Sequence, residues 1–156
     1  MTRVLEGKLD AGGIRIALVV SRFNEVVSGR LLAGAEDCLD RHGGDAADRT
    51  VVRVPGSWEL PVTAKKLADT GRFDAVVALG TLIRGETPHF DVLASQVAKG
   101  LGQVAYDSGL PVIFGVLTTD TVDQAADRAG GKLGNKGWEA ALAAIEMVSV
   151  HRQIES

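Results

Sequence analysis

Four short runs of β-branched and aliphatic residues dictate what this 156-residue chain can fold into. They are Ile14–Val20, Thr50–Val54, Asp74–Leu79 and Val112–Val116, and each is almost continuously apolar instead of alternating. Such runs read as strands covered on both faces. The stretches between them carry helical spacing. Val27, Leu31, Leu32, Ala35, Cys38 and Leu39 fall on one stripe of a helix that opens near Asn24 and stops at Gly43-Gly44. Leu60, Ala64, Leu67 and Ala68 mark a second helix, and the residues from Leu93 to Ala105 a third that ends at Ser108-Gly109. A short helix around Val122–Ala129 and a last one from about Lys136 to Val150 follow the fourth strand. Strands joined by helices run parallel, because the crossover carries the chain back to its starting end. The pattern predicts an α/β fold: a doubly wound three-layer sandwich on a four-stranded parallel sheet of order 2-1-3-4. Residues 1–156 read as one domain, with 1–12 as an N-terminal arm that is either a fraying tail or an extra edge strand.

Composition narrows the function classes. The formal net charge of −3 argues against a nucleic-acid partner, which calls for a basic excess. No run of eighteen apolar residues exists to span a membrane, and residues 1–13 contain no apolar core of a signal peptide, so the cytoplasm is the expected compartment. Cys38 is the single cysteine, which excludes an internal disulfide and any multi-cysteine metal site. No two histidines stand at metal-ligand spacing.

Ligands of open parallel sheets bind beyond the carboxyl ends of the strands, so the segments that follow each strand are the ones to read. They are Ser21-Arg22-Phe23-Asn24, then Pro55-Gly56-Ser57-Trp58-Glu59, then the long segment Gly80–His89, and lastly Leu117-Thr118-Thr119-Asp120. The third is the richest. Thr87 suits an N-cap and Pro88 the first helical position, which would aim the N–H groups of Glu86, Thr87 and His89 out of a helix end fit for phosphate or carboxylate. A plain capped helix is the alternative. His89, in the first turn, is expected to stay neutral near pH 7 and available for proton transfer; otherwise it only bonds its own loop. Phe23 and Trp58 could flank a flat heterocycle or cover the end of the core. Glu59 could accept hydrogen bonds from a ligand or complement the helix dipole. His42 reads as a helix C-cap. Gly130–Gly137 looks like a phosphate loop but lacks the Walker spacing and joins two helices, not a strand to a helix. Gly100–Ala105 matches a dinucleotide fingerprint by letter only, since it lies inside a helix.

Taken together, these segments resemble the 6,7-dimethyl-8-ribityllumazine synthases, and the likeness runs from about residue 4 to residue 150. Ser21–Asn24, Val54–Pro61, Gly80–Asp91, Phe114–Thr121, Gln124-Ala125, Arg128–Gly130 and Gly134–Gly137 carry it, in order and at fitting spacing. The resemblance implies a flavodoxin-like topology and a transferase of riboflavin biosynthesis. It implies condensation of 5-amino-6-ribitylaminouracil with 3,4-dihydroxy-2-butanone 4-phosphate, releasing phosphate and water, without a metal or redox cofactor. It further implies that Phe23 stacks on the pyrimidine, with Asn24, Thr81, Leu82 and Ile83 beside it. Ser57, Trp58 and Glu59 would hold the ribityl chain. Glu86 and Thr87 would offer backbone N–H groups to the phosphate, and His89 would shuttle protons. Phe114 and Arg128 would come from a neighbouring subunit, Arg128 pairing with the phosphate and Lys136 close by. Trp58 stands where many relatives carry Phe, and Ser57 where many carry Ala; Glu86 is one of several residues found at its place. The family also implies a homo-oligomer: a pentamer, and with the short Gly130–Gly137 connection an icosahedral 60-mer, its N-terminal arm added to a neighbour's sheet. Riboflavin synthase is a candidate guest of such a shell. The alternative is a non-catalytic lumazine- or flavin-binding or cage-forming protein of the same fold.

Overall fold

The computed structural model describes residues 1–156. Its main elements are β1 (Ile16–Ser21), α1 (Glu25–Arg41), β2 (Arg49–Val54), α2 (Leu60–Asp69), β3 (Ala75–Ile83), α3 (His89–Ser108), β4 (Val112–Thr119), α4 (Val122–Asp127), β5 (Ala129–Gly131), β6 (Gly134–Asn135) and α5 (Lys136–Glu155). The four long strands pair in parallel in the order β2-β1-β3-β4, as the helix-linked strand pattern predicts. All six residues of β1 and eight of nine in β3 are buried, so the two central strands carry the apolar run on both faces. Ile16, Leu18 and Val20 point into a core formed with α1, α4 and α5; Ala17 and Val19 point into the other, formed with α2 and α3. Truncating a fully buried side chain such as Leu18 to Ala would cost about 2–5 kcal/mol.

The edges behave differently. β2 was expected to be covered on both faces, yet only Val54 of its six residues is buried. It is the outermost strand, and its polar residues Arg49, Thr50 and Arg53 suit an open edge better than an interior. The N-terminal arm forms no strand and adds none to this sheet. Nor does it fray: the Lys8 N–H donates to Ser149 Oγ at 2.9 Å, and Gln153 Nε2 donates to the Glu6 carbonyl at 2.6 Å, which lays the arm against α5.

Three local readings need adjustment. Gly130–Gly137 is not a bare connection between helices, because β5 and β6 pair there as a short antiparallel hairpin. Gly130 and Gly134 supply the positive φ angles that the turn requires. Helix α5 runs on to Glu155, beyond the expected end at Val150. Its start is fixed by Asn135, whose Oδ1 accepts from the N–H groups of Gly137 and Trp138 while its Nδ2 donates to the Arg30 carbonyl at 3.1 Å. A Cβ on Gly137 would overlap the Leu31 carbonyl, so glycine is what lets α5 close on α1. His42 does cap α1, its ring Nδ1 lying 2.6 Å from the Cys38 carbonyl.

Candidate active site

The loops at the carboxyl ends of β1, β2 and β3 are laced together by their own backbone. Arg22 N–H donates to the Val54 carbonyl at 2.8 Å and Phe23 N–H to the Pro55 carbonyl at 3.1 Å. Asn24 takes the left-handed conformation, φ 61°, which Asn tolerates better than most residues. From there Asn24 Nδ2 donates to the Thr81 carbonyl at 3.1 Å, while Thr81 Oγ1 and Ser28 Oγ share a buried hydrogen bond of 3.0 Å. Thr81 is thus held from two sides. Gly80 precedes it, and a Cβ there would stand 2.7 Å from Ser57 Oγ and 3.0 Å from Ser21 Oγ. Only glycine lets the turn after β2 settle over the end of β3.

These contacts enclose a cavity of about 510 Å³. Phe23, Asn24, Ser57, Trp58, Glu59, Thr81, Leu82, Ile83, Thr87 and His89 all line it, so ten of the residues singled out from the sequence meet at one place. Its size is that of a pocket for a small organic ligand. Phe23 and Trp58 are 70% and 60% exposed, which decides between their two readings: they do not cap the core but present open rings. Glu59 divides its role. Its Oε2 accepts from the Gly56 N–H at 3.1 Å and so braces the turn that shapes Ser57.

The start of α3 lies one residue later than expected. Pro88 is the cap and His89 the first helical residue, because Pro88 has a helical φ of −69° but a ψ of 1°. Thr87 Oγ1 accepts the His89 N–H at 3.4 Å, which withdraws His89 from the set of outward amide donors. The N–H groups of Gly85, Glu86 and Thr87 donate to nothing within the chain and stand exposed. Unfilled amides at a helix entrance favour an anion. Glu86 borders this turn from outside the cavity. Arg84 straddles the turn's base: Nε donates to Asp120 Oδ1 at 2.9 Å and Nη1 to Asp91 Oδ2 at 3.1 Å. Those hydrogen bonds, to Asp120 first and Asp91 second, raise the guanidinium pKa above its ordinary value and keep it charged.

Phe114, Arg128 and Lys136 do not join this cavity. They line a second one of about 390 Å³ along edge strand β4, with Thr118, Thr119 and Glu139. Arg128 ends α4, and its Nη1 donates to the Gln124 carbonyl at 3.1 Å. The cations and the aromatic cavity therefore belong to separate surfaces of one chain.

A family model described as 6,7-dimethyl-8-ribityllumazine synthase matches residues 13–152. The chain belongs to the 6,7-dimethyl-8-ribityllumazine synthase family. It is similar to the 6,7-dimethyl-8-ribityllumazine synthase of Chlorobium chlorochromatii (strain CaD3), 53% identical over 150 residues that cover 96% of this chain and 97% of the relative. The family that the motifs resemble, and the parallel sheet that it implies, are thus the ones found. The lumazine synthase family is an enzyme family, and no helix of this member is long and apolar enough to cross a membrane. Sequence reasoning gave Arg84 no role; its carboxylate partners lie seven and thirty-six positions away, and no local pattern pairs them.

Proposed function

We infer that this chain makes 6,7-dimethyl-8-ribityllumazine in riboflavin biosynthesis from 5-amino-6-ribitylaminouracil and 3,4-dihydroxy-2-butanone 4-phosphate, with phosphate and water released. Family membership carries the activity, and the division of the site into two half-sites carries the reading of how it works. The pyrimidine lies on the Phe23 ring, beside Asn24 and the Thr81-Leu82-Ile83 strand end. The ribityl chain follows Ser57, Trp58 and Glu59. The phosphate sits on the free amides of Glu86 and Thr87, where the helix end favours negative charge.

Closing that phosphate site takes a cation that the first cavity lacks. Arg128 and Phe114 from a neighbouring subunit supply it, together with a second wall for the ring, and Lys136 lies nearby. The protein is accordingly a homo-oligomer, a pentamer that closes into a 60-mer, able to enclose riboflavin synthase and resident in the cytoplasm. The strandless N-terminal arm and the exposed edge of β2 fit one another as donor and acceptor of an intersubunit strand.

The chemistry is addition of the amine to the ketone, Schiff-base formation, elimination of phosphate, ring closure and dehydration. His89, at the cavity wall and at the head of α3, moves the protons. Both substrates are reactive already, so holding them in register is the protein's largest contribution. The test is to incubate the purified assembly with both substrates while following lumazine absorbance and phosphate. One phosphate per lumazine is expected; ligand binding without turnover would leave a carrier or a cage instead.

A further inference from the structure

We propose that Arg84 is a positioning residue that holds the amide turn 85–87 in its anion-binding shape and so sets affinity for the phosphorylated ketone. This rests on the reading of that turn as the phosphate site. Arg84 touches neither cavity. It acts as a strut between three segments. Its own N–H donates to the Thr119 carbonyl at 2.8 Å, which anchors the start of the turn to the end of β4. Its guanidinium spans Asp120, just past β4, and Asp91, in the first turn of α3, and lies 4.5 Å from the centre of the Phe90 ring. The turn that bears the free amides leaves the chain at Arg84 and rejoins it at α3, so the strut closes a loop around them.

The residue type matters. Exposed ion pairs are individually weak, so this network adds little to global stability. A planar guanidinium that bonds two carboxylates at once and stacks on a ring instead fixes direction, which a single ammonium cannot do. The strut reaches further along the chain. The Asp120 N–H donates to Gln124 Oε1 at 2.9 Å, and the Gln124 carbonyl receives Arg128 Nη1. The same aspartate that receives Arg84 thus orders the helix that presents Arg128 to the other half-site.

The experiment is steady-state kinetics with each substrate varied in turn, plus inhibition by inorganic phosphate, on the assembled wild type and on Arg84→Ala, Arg84→Lys and the double variant Asp91→Asn/Asp120→Asn. Arg84→Ala is expected to raise KM for the butanone phosphate and weaken phosphate inhibition about tenfold, with KM for the aminouracil unchanged within about twofold. The double aspartate variant should reproduce this split, and Arg84→Lys should recover only part of it. Melting temperatures near wild type would separate positioning from unfolding. An equal rise for both substrates would overturn the proposal. So would a normal KM in the aspartate variant, since Arg84 would then bind the ligand itself. A wild type that fails to turn over the pair would refute the functional reading and not this one, because calorimetric titration of the same proteins with inorganic phosphate reads the turn without turnover, and there Arg84→Ala and the double aspartate variant should each bind about tenfold more weakly than wild type.

Discussion

The two cavities of this chain differ in kind. The one over β1, β2 and β3 is walled by rings, aliphatic side chains and backbone amides, and its loops are cross-tied to one another. The one along β4 is smaller and more polar, and offers Arg128 and Lys136. Each lacks what the other has. An aromatic slot with a helix entrance can hold a flat ring and receive a phosphate, but it has no cation to neutralise the second charge. A pair of cations beside an edge strand, at the end of α4 and the start of α5, can meet a phosphate but cannot orient a heterocycle. The lesson is that the two cavities complement one another, and the assembly proposed above would join one copy's slot to another copy's cations.

The strongest way to break that comparison is Arg128→Ala. Losing the charge proposed to pair with the phosphate should lower kcat/KM by about 10²-fold or more. Mixing refolded Arg128→Ala chains with chains carrying Phe23→Ala and His89→Ala should then restore about a quarter of wild-type turnover, since one interface in four joins two intact halves. A mixture as inactive as its parents would mean that both halves serve within one subunit. Next in size is His89→Ala, expected to cost less than about 10²-fold, below the usual toll of losing a general base, if orientation dominates. Turnover abolished by that change but hardly altered by Arg128→Ala would reverse the ranking of the halves. Phe23→Ala should weaken binding of the aminouracil about tenfold through the lost ring contact, leaving phosphate inhibition alone.

The smallest effect on catalysis is expected at the opposite end of the sheet, where Asp74 serves as a control. Burial works against its ionisation, but hydrogen bonds from the Arg15 side chain and backbone and the charges of Arg15 and Arg152 outweigh it, and the pKa falls below the ordinary carboxylate range. A lowered pKa in the folded state stabilises above the unfolded value near 4 and is lost as pH falls through the folded one. Asp74→Asn should therefore cost about 1–2 kcal/mol in denaturant melts at pH 7, with the gap to wild type closing below about pH 4, and should leave turnover intact. A large drop in turnover at constant stability would show that the two ends of the sheet are coupled.

How much of this was legible without coordinates depends on the range of the interaction. The apolar runs of β1 and β3, the helical stripes between them and the strand order follow from patterns a few residues long, and so do the clustered motifs after each strand. The cap of α3 slipped by one residue because a proline with a helical φ need not have a helical ψ. The β5–β6 hairpin went unseen because its pairing depends on two glycines at positive φ, which a string of Gly and Lys does not announce. The openness of β2 escaped because Val and Thr look alike in a central or an edge strand.

What the chain order settled alone was the parallel sheet and the set of side chains gathered at its carboxyl edge, since crossover geometry leaves a helix-linked strand little choice of direction. Tertiary packing decided the partition: that Phe23, Trp58 and His89 share one cavity, that Arg128 and Lys136 face another, and that Arg84 ties Asp91 to Asp120. Those facts depend on distances between segments remote in sequence, and only the folded backbone sets such distances.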